Sequence, residues 1–222
     1  MNPYLKQKPV ASDYAIILMN LIPLAGVWVF DWDPRQMFLI YCMESVLVGI
    51  VTILKMGLLP FLRTDEHGKQ MGKISFGISF GMILFFIFHF GIFVFVQLMI
   101  FLGVSNLMPS GNPLQLIRSL PTLLDSYSKI LFLLFAGIYI MQMIIEFILK
   151  GGYKQTGNMQ IMMSPYLRIF IQQFVVIVGG MFLSFGAGKT FMLIFVVVKL
   201  FFEVFVDYQR YLTEIAAKQS AK

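Results

Sequence analysis

The amino-acid sequence predicts an all-α fold, a polytopic bundle of six transmembrane helices. Three observations carry that expectation. Of 222 residues, 59% are hydrophobic and 13% charged, against roughly 25% charged in a soluble domain; the mean hydropathy is +0.82. The apolar residues gather in six stretches, near 13–31, 37–59, 74–102, 128–149, 166–185 and 190–210, each close to the about 20 residues that cross a hydrocarbon core. Lys and Arg divide unequally between the connecting segments, eleven on one side against four on the other. That bias puts the richer side, with both termini, in the cytoplasm.

The first stretch follows a short basic start, Lys6 and Lys8, in the manner of a signal peptide. It runs into Asp31-Trp32-Asp33-Pro34 without a small-residue cleavage site, so a retained helix is expected. Residues 1–12 form a cytoplasmic segment, 13–210 the six-helix domain and 211–222 a cytoplasmic tail. Residues 31–36 and 186–189 read as tight turns, and 60–73 as a charged cytoplasmic loop. The outer loop 103–127 is longer. It places Leu114, Ile117, Leu120 and Leu124 at helical spacing around Arg118, with Pro121 against a continuous helix. An interfacial helix on the outer leaflet is expected there, with a lid over a cavity as the alternative.

Small residues mark two packing faces. Ser75, Gly77, Ser79 and Gly81 line the third stretch and Gly179, Gly180 and Ser184 the fifth; close approach of helices within the chain is their expected role. Gly186-Ala187-Gly188-Lys189-Thr190 resembles the end of a phosphate-binding loop. The glycine that motif needs five residues before Gly188 is Leu183, and no strand precedes it, so a turn is expected. The single Cys42 cannot form an intramolecular disulfide. The net charge of +6 is scattered over short loops, which excludes a nucleic-acid surface.

Ionisable groups within the apolar stretches are the strongest pointer to a site, because each costs a few kcal/mol at membrane depth unless it pairs, snorkels or meets water. They are Glu44, Lys55, His89, Glu146, Lys199 and Glu203. At 1.5 Å per residue, Glu44 lies roughly 12 Å and Lys199 roughly 15 Å inside the outer ends of their helices. His89 lies about midway along the third stretch, and Gln172 and Gln173 enter from the cytoplasmic end to roughly 10 Å. A shared pocket lined by the second, third, fifth and sixth helices would satisfy them together. Its expected members are Glu44, His89, Gln173, Lys199 and Glu203, with Lys199 and Glu203 paired at i,i+4. Lys55 snorkels to the cytoplasmic interface. Glu146 with Lys150, and Asp207 with Arg210, read as structural ion pairs at membrane exits. No metal-ligand spacing is present, and Ser45 points about 100° from Glu44 on a helix, against a nucleophile–base pair. No metal, cofactor or catalytic residue is expected.

Three groups of residues resemble a known family. They are Asn20-Leu21-Ile22-Pro23 with Trp32 and Tyr41-x-x-Glu44; Phe88-His89-Phe90-Gly91-x-Phe93; and Pro165-Tyr166-x-Arg168-Ile169 with Gly179-Gly180 and Val198-Lys199. Together they resemble a family of prokaryotic six-helix membrane proteins with a domain of unknown function. The resemblance covers most of the chain and implies a prokaryotic inner (plasma) membrane location but no activity. It adds Arg168 to the residues worth testing. Positions resembling Gln97 and Gln173 are often His in that family; the departure here puts any family-wide metal or haem role in doubt for this chain. The leading function class is a small transporter or binding protein for an ion or polar small molecule. The alternative is a structural subunit or assembly factor. Expected partners are the lipid bilayer, other membrane subunits or a second copy of the chain.

Overall fold

The computed structural model describes residues 11–63, 73–105, 107 and 122–205. The described residues are helical apart from turns and short links. The helices are α1 (Ala11–Val29), α2 (Pro34–Leu62), α3 (Lys73–Val104), α4 (Ser126–Gln142), the single turn α5 (Gly152–Gln155), α6 (Asn158–Ser184) and α7 (Gly188–Leu200). Two helices run on with π-helical turns, α4 through Met143–Leu149 and α7 through Phe201–Phe205. Helices thus form at all six apolar stretches. Three helical segments among the described residues are long and apolar enough to cross a membrane: Pro34–Leu62, Gly77–Val104 and Ser126–Leu149. The chain is therefore read as a membrane protein.

Local chemistry sets the helix ends. Asp33 caps α2 by accepting from the Arg35 N–H, with Pro34 in the first turn where its missing donor costs nothing. Asp125 caps α4 by accepting from the Ser128 N–H at 2.7 Å. Gly186, at φ 73°, closes the tight turn after α6. A Cβ on Gly188 would lie 2.9 Å from Leu183 and 3.2 Å from Pro34. Turn geometry and close approach thus account for the glycines of the phosphate-loop-like segment.

Helix α2 is the centre of the bundle, packing against α3, α4, α6 and α7. Within its span 56% of the residues are buried, against 22% in each of the other two. Two apolar clusters divide the core. One joins Phe38, Tyr41, Phe101, Phe135 and Phe195; the other joins Met56, Phe86, Phe90, Phe147 and Ile169. Glu44 and Ser45 fall between them on α2, so the polar residues occupy the gap between two dry layers.

The small-residue faces part company. Gly179 meets the Phe191 ring where a Cβ would stand, and Ser79 accepts from Asn158 at 2.7 Å, both contacts within the chain. Gly77 and Gly81 have open space around them, contrary to the expected close packing. Of the outer loop, residues 106 and 108–121 lie outside the described residues, and the expected interfacial helix with them. Its end docks on α2: the Gln36 side chain donates to the Leu123 carbonyl at 3.0 Å, and Leu124 enters the first cluster. Asp207, Arg210 and the terminal segments 1–10 and 206–222 also lie outside the described residues, as do 64–72 of the cytoplasmic loop.

Candidate functional site

Lys199 is the hinge of the site. It projects from α7 into the gap beside α2 and is 3% exposed. Its ammonium lies 2.9 Å from Oε2 of Glu203, one turn on, and 3.1 Å from Oε2 of Glu44 across the bundle. Glu44 is 1% exposed. An ammonium carries three donors; here two carboxylates flank it, and the face of Tyr41 lies 5.1 Å away. Charges this deep persist only when paired and hydrogen-bonded.

A second layer fixes the two acids. The Tyr139 hydroxyl, from α4, donates to Oε1 of Glu44 at 2.5 Å. The Asn20 amide, from α1, donates to Oε2 of Glu203 at 3.3 Å and to the Ile16 carbonyl at 2.9 Å. Tyr41 reaches the Asn20 carbonyl at 3.4 Å. Beside Glu44, the Ser45 hydroxyl donates to Oε1 of Gln172 on α6. Residues from α1, α2, α4, α6 and α7 thus converge on one polar layer.

A cavity of about 230 Å³ opens from this layer. Its inner end carries Lys199, Glu203, Tyr139 and Gln172; Lys55, Gln142 and Glu146 also line it. On α2 the wall is Val48, Val51, Thr52 and Lys55, spaced i, i+3, i+4 and i+7 along one helix face. Glu44 and Lys55 are eleven residues apart, roughly 16 Å along α2. The cavity therefore follows the helix axis from the buried cluster toward Glu146, which is exposed. At about 30 Å³ per molecule it has room for several waters.

The family model covers residues 4–222, nearly the whole chain. The chain belongs to DUF6498, a family of unknown function. No curated protein and no solved structure matches it.

In this DUF6498 chain the expected pocket is assembled in part. Glu44, Lys199 and Glu203 come together. His89 does not join them: it is exposed on α3, with Nδ1 3.0 Å from the Tyr166 hydroxyl and its ring stacked on Phe85. It shares the depth of the site but not its side of the helix; Phe86, Phe90 and Gln97 are the buried face of α3. Gln173 also points elsewhere, donating to the Phe93 carbonyl at 2.9 Å, so that α6 contributes Gln172 in its place. The expected Glu146–Lys150 pair does not form. The stretch is π-helical there and Lys150 caps it, its N–H bonded to the Ile145 carbonyl. Glu146 instead lines the cavity with Lys55, whose ammonium lies 5.8 Å from the Phe147 ring centroid. Lys55 thus faces the cavity rather than simply snorkelling to the interface. The side chain of Arg168 lies outside the described residues.

Asn20 and Tyr139 are the members that sequence reasoning missed. Asn20 had a signal, as an amide in an otherwise apolar segment that costs free energy without a partner. Tyr139 had none, because one hydroxyl on an aromatic ring leaves the stretch apolar. Among the described residues, no group of three His, Cys, Asp or Glu side chains is placed to hold a metal ion.

Proposed function

We propose that this DUF6498 protein is a six-span protein of a prokaryotic inner membrane, with both termini cytoplasmic, that binds a small polar solute or ion as a transporter or binding protein. One observation supports the reading above the others: a cavity at membrane depth has a buried ammonium shared by two carboxylates at its end. A purely structural ion pair needs no adjoining space. A group held by two partners can release one to a ligand while keeping the other, which makes Lys199 a breakable contact. At about 230 Å³, the cavity falls below the roughly 300–1,000 Å³ of drug-sized sites, so the ligand is small.

Cysteine accessibility tests this. Cys42 is the single cysteine, so a Cys42→Ala, Thr52→Cys chain carries one thiol, on the cavity wall. A small charged thiol reagent should label it in intact membranes, and prior Lys199→Met substitution should not be required. Absence of labelling, with the protein folded and labelled at an exposed control cysteine, would overturn the solute reading.

A second reading, a subunit packed in a larger membrane complex, is favoured by α3. Its Gly77 and Gly81 face open space, beside exposed Ile78, Phe80 and Phe85. A partner recovered in fixed stoichiometry through gentle purification, and lost on Gly81→Leu, would support it.

A further inference from the structure

The cavity holds two ionisable groups that the buried cluster does not use. Lys55 and Glu146 both line it. Among the described residues they form no direct ion pair with each other or with any other group. A third group is Gln172, which is 2% exposed. Its Oε1 is taken by Ser45, while its Nε2 lacks a hydrogen-bond acceptor. A buried donor without an acceptor carries its full desolvation penalty. The cavity thus offers a cation, an anion and an amide, each with hydrogen-bonding capacity to spare.

Resting on the solute-cavity reading above, we propose that the ligand is a small zwitterion of the amino-acid class, its carboxylate held by Lys55 and Gln172 and its ammonium by Glu146. A simple carboxylate would answer Lys55 but add a second negative charge beside Glu146. A simple amine would answer Glu146 and crowd Lys55. One molecule carrying both charges meets both walls and brings no net charge into a low-dielectric space. The volume agrees: about 230 Å³ admits a short apolar side chain and a few waters.

The test uses purified full-length protein in lipid nanodiscs and compares L-leucine with its two halves. These are 4-methylpentanoate, which lacks the ammonium, and 3-methylbutylamine, which lacks the carboxylate. Glycine, L-alanine and L-serine complete the panel, with calorimetric titration as readout. At least one zwitterion should bind, about tenfold or more tighter than either half of leucine, as expected when one charged hydrogen bond is lost. Lys55→Gln should weaken the zwitterion and 4-methylpentanoate but not the amine; Glu146→Gln should weaken the zwitterion and the amine but not the carboxylate. That crossed pattern is one that general destabilisation cannot produce. Equal binding of zwitterion and 4-methylpentanoate, or of zwitterion and amine, would overturn the assignment. If no probe binds while Thr52→Cys is labelled, the zwitterion assignment falls and the solute reading stands. If labelling fails as well, both fall.

Discussion

Tyr139 and Lys199 hold the same carboxylate from two different helices: the Tyr139 hydroxyl donates to Oε1 of Glu44 at 2.5 Å, and the Lys199 ammonium lies 3.1 Å from Oε2. Lys199 also donates to Oε1 of Glu44 at 3.3 Å, and α2, α4 and α7 are tied together at one level. The second acid, Glu203, shares the ammonium but belongs to the helix of Lys199 itself. The two acids are not equivalent: Glu44 joins α2 to α4 and α7, whereas Glu203 neutralises Lys199 from its own helix and meets Asn20 of α1.

Lys199→Met leaves two buried carboxylates facing each other without their cation. The loss should be about 3–5 kcal/mol, the range for breaking one side of a buried pair. Adding Glu203→Gln should recover part of it, and adding Glu44→Gln more. Unfolding of the single, double and triple variants in one detergent would show this non-additivity. Strictly additive losses would mean that the three side chains do not interact.

Glu44→Gln should behave differently. The glutamine amide still accepts from Tyr139, and Glu203 still neutralises Lys199. Abundance and thermal stability should therefore stay near wild type, while the phenotype of a complementing copy is abolished if the breakable contact is functional. Abundance falling in step with phenotype would leave the structural-subunit reading in its place.

Topology follows from the unequal Lys and Arg count. Reporters fused at residue 66 and at the C-terminus should both read cytoplasmic. A signal from the opposite side at residue 66 would break the six-span arrangement or reverse it.

Asp31 offers a pH test outside the membrane. It caps the turn between α1 and α2 at φ 52° and pairs with Lys189 across the bundle end. The Lys189 ammonium, by hydrogen bond and by charge, holds the Asp31 carboxyl below its ordinary 3.8. A lowered carboxylate pKa means stability present above the unfolded value and lost as the pH falls through the folded one. Because the pair is open to solvent and screened by salt, Asp31→Asn should barely move the melting temperature at pH 7. It should flatten the decline below about pH 4, and asparagine keeps the left-handed turn. A large loss at pH 7 would show that the pair ties the helices together after all.

The meeting of Glu44, Lys199 and Glu203 was legible in the sequence because charges at depth are scarce and must find each other. Depth follows directly from residue count. The angle around the helix does not, and His89 shows why. Helix α3 is apolar on nearly every side, so no polar stripe says which face turns inward, and a histidine at the right depth lies on the outside. Gln172 and Gln173 pose the same problem one residue apart, where a turn of about 100° decides which enters the pocket. The capping role of Asp33 beside Pro34 was within reach of the sequence. Glu146 went the same way: i,i+4 spacing permits a pair with Lys150 but does not decide between that partner and the cavity, and nothing in Met143–Leu149 announces the π turn.

The two π-helical stretches each carry one acid of the cavity wall, Glu146 in Met143–Leu149 and Glu203 in Phe201–Phe205. A π turn bonds each N–H five residues back instead of four, so it takes up one residue more than an α turn while the helix on either side keeps its faces. The backbone that carries both acids is therefore set by chain length as well as by residue type. Removing a single apolar residue, such as Ile145, would let that stretch return to the i to i−4 ladder. The wall around Glu146 would be rebuilt by a deletion that leaves the charge composition of the protein untouched.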